Sequence, residues 1–363
     1  MDFEWTEEQE LLRENVRRFV EENASIDFVR AQWEDPAGVT AAVWSKLSDL
    51  GVTGLLIPEA YGGAGLGVLD MGVVLEELGR AIHPGPFLSS ALVATRLLAA
   101  AGSEKDRAAW LPRLAEGRAR VAVALENGDD AIRATRIGEA WRLCGDLGPV
   151  MDAAGCDALL VPAQLDAVPR IFLLEREVPS VALTPFGQVD GTRRLFRVSL
   201  EEAPAQLVGE ADASEALAEA RDLLAIGLVA DAVGAADRAL ELSTAYASER
   251  EQFGRPIGSF QSLQHLMVDM LQSIELARAA VIHALWTADA APPAERAHAA
   301  SIAKAFAAEA LPGVGASAIQ VFGGLGFTWE MDIHLFDKRL CSQALLGGDG
   351  ARHLELLATQ VLD

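Results

Sequence analysis

Apolar residues recur at helical spacing from the first turns of the chain. Leu11, Leu12, Val16, Phe19 and Val20 share one face of a 3.6-residue repeat, and Thr6 with Gln9 forms a capping-box pattern just ahead of it. After Pro36 and Gly38, a second face made of Val43, Trp44 and Leu47 predicts a helix ending near Gly51. The stretch "LLIPEAYGGAGLG" (55–67) interrupts the period with proline and repeated glycine. Helical spacing resumes at Val68 through "LDMGVVLEELGRA", and one more helix is expected over roughly 87–101. From about residue 119 the pattern shortens. "RVAVAL" (120–125), "DALLVPA" (157–163), "RIFLLE" (170–175) and "RRLFRVSL" (193–200) read as strands separated by Gly, Asp and Pro. From about 212 onward long apolar-periodic segments return, at 212–249, 260–288, 293–321 and 350–361, with "DAAPPAE" (289–295) breaking two of them apart.

This order predicts an α+β fold that is mainly α. An N-terminal helical domain (1–118) is followed by a small middle β-domain (119–205) and a C-terminal four-helix bundle (206–363).

Composition narrows the function. The net charge of −23 disfavours nucleic acid and anionic membrane as partners, since both need a basic footprint. Apolar runs such as "LLAIGLVADAVGAA" (223–236) meet a charge before the span a bilayer requires, so no membrane insertion is expected. The N-terminus opens with acids and has no apolar h-region, which points to a cytoplasmic protein without a secretory signal. Cys144, Cys156 and Cys341 show no CxxC pairing, and the histidines at 83, 265, 283, 298, 334 and 353 show no metal-ligand spacing. No metal site is expected.

Three stretches remain as candidate chemistry. "SEREQFGRPIGSFQSLQH" (248–265) is a charged helix end, a proline-glycine turn and a new helix opened by Ser259; taken alone it reads as a helix connection anchored by Phe253 and Phe260. "IQVFGGLGF" (319–327) carries glycines after a helix rather than a strand, which argues against a dinucleotide fingerprint of the strand-to-helix kind. "SQALLGGDGARH" (342–353) is either a plain turn or a loop presenting Asp349.

Together and in this order, "IPEAYGGAGLG", "EELGRA", "SEREQFGRPIGSFQ" and "QVFGGLGFTWE" resemble the acyl-CoA dehydrogenase family over essentially the whole chain. The resemblance implies FAD shared at a subunit interface, with its adenosine and pyrophosphate end held by the neighbouring chain. The matching positions are Arg250, Gln252, Phe253 and Gln261 in the first motif, and Gln320, Gly323, Gly324 and Gly326 in the second. A guanidinium suits a diphosphate, glycines admit close backbone approach, and a phenyl ring can cover an apolar cofactor face.

The chain also departs from that family. Members carry a "TEPxxGSD" loop facing the flavin ring and a later "TW[IV][ST]" strand whose tryptophan lies against it. Here the loop is shortened, and "LGPVM" puts Pro149 where the tryptophan would stand. The family's base is a glutamate in "YEGT", and ungapped counting places that position on Gly347. Asp349 is two residues away and one methylene shorter. A second known base position falls on Leu224, and its nearest acid, Asp222, is rotated by about 200° on a helix. No catalytic residue is expected in this chain.

The resemblance therefore implies the base-lacking subunit of a heteromeric, α2β2 actinobacterial enzyme. Its partner would be a homologous base-bearing subunit, its substrate an acyl-CoA with a bulky, steroid-type side chain, and its electron acceptor an electron-transfer flavoprotein. Two alternatives stand beside it: a homo-oligomeric flavoprotein with base-independent chemistry, and a non-catalytic scaffold subunit.

Overall fold

The computed structural model describes residues 5–125 and 132–362. In chain order the helices are α1 (Glu7–Asn23), α2 (Ile26–Ala31), α3 (Ala41–Asp49), α4 (Val68–Arg80), α5 (Thr95–Ala101), α6 (Glu104–Ala115), α7 (Ser214–Glu249), α8 (Gln261–Ala290), α9 (Pro293–Phe322), α10 (Ile333–Leu345) and α11 (Gly350–Leu362). The strands are β1 (Val121–Val123), β2 (Arg133–Ile137), β3 (Ala140–Met151), β4 (Ala158–Leu165), β5 (Val168–Glu175), β6 (Val181–Pro185), β7 (Leu195–Val208), β8 (Glu251–Gln252) and β9 (Arg255–Pro256). The fold is α+β and mainly helical, as the sequence predicts.

The chain forms two compact units. One comprises residues 30–71 and 84–224. Its sheet closes on itself: β4 pairs β2, β2 pairs β3, β3 pairs β7, β7 pairs β5, and β5 returns to β4, with β1 added beside β4 and β6 beside β7. Closure leaves few free edges and surrounds a core that includes Leu147, Leu159, Phe172, Phe196 and Val198. The β3–β7 ladder shifts register between Leu147 and Val150, so the pairing skips Pro149, which has no N–H to give. Within this unit "FLSSALVA" winds as a π-helix (Leu88–Ala94) before continuing as α5, where an ordinary helix is expected. The Thr95 hydroxyl donates to the Ser90 carbonyl, and the Ser90 hydroxyl accepts the Val121 N–H. The shortened loop read as the remnant of "TEPxxGSD" lies partly in 126–131, outside the described residues.

The other unit comprises residues 1–29, 72–83 and 225–363. The Thr6–Gln9 capping box is formed reciprocally at the start of α1. Residues 225–236 of α7 are buried on every side, which marks the central helix of the bundle. Glycine brings α4 against it: a Cβ on Gly79 would sit 2.0 Å from the Asp231 carbonyl oxygen. α9 packs against α8, α10 and α11. By length and hydropathy alone, Pro293–Phe327 is apolar enough to cross a membrane, contrary to the expectation that charge interrupts every such run. Its alanines raise the hydropathy, while Arg296 and Lys304 are buried among its neighbours as part of the bundle core.

Candidate cofactor-binding face

The two glycine-containing motifs meet at one end of the helical unit. Tyr246, one turn before the end of α7, stacks on Phe322, the last residue of α9, with ring centroids 4.2 Å apart and planes inclined by 15°. The chain beyond each ring carries a motif.

After Glu249 the backbone enters a hairpin in which Glu251 pairs Pro256 and Gln252 pairs Arg255. Phe253 and Gly254 form its two-residue turn at φ of 55° and 77°, the signature of a primed hairpin loop. Glycine tolerates that backbone; phenylalanine does not, at a cost of about 1–3 kcal/mol. The ring is also 91% exposed, with an edge contact to Phe260 at 6.1 Å. The Arg255 guanidinium lies 4.0 Å over the Phe260 ring, and the Ile257 N–H donates to the Arg250 carbonyl, so the hairpin is braced from within. Arg250 itself is exposed, and its guanidinium makes no ion pair among the described residues. Gln252 turns its amide onto the neighbouring Glu251 carbonyl. Gln261 is exposed at the first position of α8. Ser259 does not open that helix as expected: its hydroxyl donates to the Pro256 carbonyl in a 3-10 turn, and Phe260 holds the cap position without a side-chain bond. The proline-set turn captures the hydroxyl before the helix can use it.

At the other motif Gln320 is exposed in the last turn of α9, and its carbonyl accepts the Gly323 N–H. The three glycines differ in what they do. Gly323 closes the helix at φ 62°, ψ −141°, a conformation reserved for glycine. Gly326 is a packing glycine, since a Cβ there would meet the Ile319 carbonyl oxygen at 2.8 Å. Gly324 has open space where its Cβ would be and no positive φ, so nothing among the described residues requires glycine there. Phe327 and Trp329 follow, 75% and 57% exposed. Trp329 is propped edge-on by His334 at 4.9 Å, with the Lys338 ammonium 5.2 Å from its ring.

The Gly347 loop behaves as a turn. Gly347 and Gly348 take φ of 69° and 96°, and the Asp349 carboxylate accepts the Arg352 N–H at 2.9 Å as the cap of α11. The His353 ring nitrogens contact the Gly347 carbonyl at 3.0 Å and the Ser301 hydroxyl at 3.2 Å; burial keeps this imidazole's pKa below the usual range. Asp349→Ala is expected to lose about 1 kcal/mol of capping stability in denaturant melts and to leave turnover of any assembled enzyme unchanged. A fall in turnover of about a hundredfold or more would put Asp349 in the chemistry instead. Leu224, at the second base position, and Asp222 both lie half-buried on α7.

Sequence reasoning missed a cleft of about 360 Å³ in the same unit, lined by Arg17, Glu77, Arg80, Arg238, Asp332 and Phe336 among others. It contains none of the predicted site residues, and its polar lining is drawn from four separated segments with no local motif. Among the described residues no group of three or more His, Cys, Asp or Glu side chains is placed to hold a metal ion.

A helical domain, a closed β-domain and a helical bundle ending in these two motifs define an acyl-CoA dehydrogenase-type architecture. The N-terminal domain of acyl-CoA dehydrogenases matches residues 6–118 and the C-terminal domain matches residues 210–362. Acyl-CoA dehydrogenase IpdE2 of Mycolicibacterium smegmatis is 36% identical over 357 residues, covering 98% of this chain and 99% of that protein. The ChsE4–ChsE5 complex of Mycobacterium tuberculosis contains a chain that superposes with a TM-score of 0.91 at 28% identity, over 100% of this chain and 99% of the other. A variant of the Tcur3481–Tcur3483 steroid ACAD matches with a TM-score of 0.89 at 29% identity over 98% of each chain. This chain belongs to the acyl-CoA dehydrogenase family.

Proposed function

We propose that this chain is the base-lacking subunit of a heteromeric, FAD-dependent acyl-CoA dehydrogenase. It clamps the adenosine and pyrophosphate end of an FAD whose flavin ring serves a homologous, base-bearing partner. Arg250 supplies a guanidinium to the diphosphate. Gly324 admits the cofactor to the backbone, Gly323 and Gly326 shape the turn that presents it, Phe253 covers an apolar face, and Gln252, Gln261 and Gln320 offer amide contacts. When bound, FAD supplies the acceptor for a hydride leaving the β-carbon of an acyl-CoA, and the α-proton goes to the partner's base. The substrate is a bulky, steroid-type acyl-CoA, and an electron-transfer flavoprotein reoxidises the enzyme in the cytoplasm.

The observation that carries this reading is Phe253, a strained aromatic residue 91% exposed three residues after an arginine that makes no ion pair among the described residues. A chain folding for itself would place asparagine or glycine there, so the ring serves something the chain alone does not contain. Two observations support the diphosphate fit: a guanidinium with no ion pair among the described residues, and a glycine at 324 with no described atom within 4 Å of where its Cβ would be. Similarity to the ChsE4–ChsE5 complex and to a steroid ACAD supports the heteromer and the substrate class. The visible spectrum of the chain purified alone is expected to show no flavin, and co-purification with its partner to give near one FAD per pair of chains. Stoichiometric flavin on the lone chain would favour the homo-oligomeric flavoprotein, and a flavin-free assembly the scaffold.

A further inference from the structure

Behind the Gly347 loop, Lys304 and Gln343 converge on one small cavity. Lys304 projects from α9 with 1% of its surface exposed and donates to the Gln343 and Ala344 carbonyls at 2.5 and 3.1 Å. These are end-of-helix carbonyls of α10, which otherwise lack intrahelical donors. An ammonium has three N–H donors, so one remains. Gln343 is 2% exposed, and its amide NH2 donates to the Asp231 carboxylate. That bond fixes the amide's orientation, because the flipped form would press Oε1 against a carboxylate oxygen. Oε1 is thereby left without a hydrogen-bond partner among the described residues. Both side chains line a cavity of about 10 Å³ whose other walls are apolar, including Leu228, Val229, Ala307 and Leu311.

About one probe sphere of space with at least two polar neighbours is what a single buried water requires. We propose that one internal water occupies this cavity, accepting from Lys304 Nζ and donating to Gln343 Oε1. Other occupants are excluded by chemistry. A cation would face the ammonium, an anion would face the amide oxygen, and no larger molecule fits. The water joins two groups of buried contacts into one network. Lys304 and the water hold the last turn of α10 from the α9 side. Gln343 ties the same turn to Asp231, which is paired with Arg339 at 2.9 Å. The Gly347 loop leaves directly from that turn, so Lys304 is a positioning residue for the loop. Burial lowers the Lys304 pKa to about 8, with Asp349 opposing the shift, and the water is a further acceptor that favours its charged form.

A high-resolution crystal structure of the protein as purified is expected to show one discrete density peak within hydrogen-bond reach of both Nζ and Oε1. An empty cavity, or Nζ closing directly onto Oε1, would overturn the assignment. Water-oxygen relaxation dispersion tests it in solution against Ala307→Val, which fills the cavity and keeps every polar group. The variant is expected to lose one long-lived water relative to the natural chain; equal numbers in the two proteins would also overturn it.

Discussion

Arg250→Ala in the assembled enzyme is expected to weaken FAD retention about 10- to 100-fold, the loss of one charge-assisted contact to a diphosphate. Flavin-to-protein ratio after dialysis, and the FAD concentration needed to restore turnover, measure it directly. The guanidinium is exposed and forms no ion pair among the described residues, so its removal takes no contact from the chain's own fold. Stability of the isolated chain should therefore stay within about 0.5 kcal/mol. Arg250→Lys keeps the charge but loses the planar fork, and an intermediate affinity is expected. The separation of the two readouts matters. Loss of flavin together with loss of stability would describe a folding residue, and unchanged flavin content would sink the clamp and leave the scaffold reading.

What the sequence made legible follows from how local each signal is. The α1 capping box, the break at 55–67 and the long helices of the bundle are written in short windows, and the structure has them. β2, β3 and β6 were not legible: "RATRI" is almost wholly exposed and has no apolar face, and "AWRLCGDLGPVM" hides its period behind two register shifts and a proline. β3 and β6 owe their strand state to pairing with the distant β7, and β2 to pairing with β3 in turn. α6 and α10 lie outside the helices the sequence predicts, because Pro112 and the charged run at 337–339 blur the apolar face. The site followed the same rule. The two motifs could be read as strings, but their meeting depends on Tyr246 stacking on Phe322 across 76 residues of chain. The strain at Phe253 and the unexplained openness around Gly324 are three-dimensional facts as well. The same limit hid the ion pair beneath α10, whose partners are more than 100 residues apart.

Asp231→Ala is expected to cost about 3–5 kcal/mol, far more than the loss of a helix cap at Asp349. Arg339 has no exposed surface and grips Asp231 in two bonds, Nε to Oδ1 at 2.9 Å and a terminal nitrogen to Oδ2 at 3.1 Å, while also donating to the His83 carbonyl at 2.9 Å. Removing the carboxylate leaves a buried guanidinium without the countercharge that grips it in two bonds, and leaves the Gln343 amide without its acceptor. Asp231→Leu with Arg339→Met removes both charges while filling similar volume and should recover most of the loss, because it is the unpaired charge rather than the missing pair that costs. Denaturant midpoints of the two variants against the natural chain read this out. The pair also fixes α10, which carries the Gly323–Phe327 turn before its first residue and the Gly347 loop after its last. The double variant, if it folds, is thus expected to retain flavin less well in the complex even where stability is recovered. A single Asp231→Ala chain within about 1 kcal/mol of the natural one would show that water or a neighbouring group reaches Arg339 and that α10 is held by apolar packing alone.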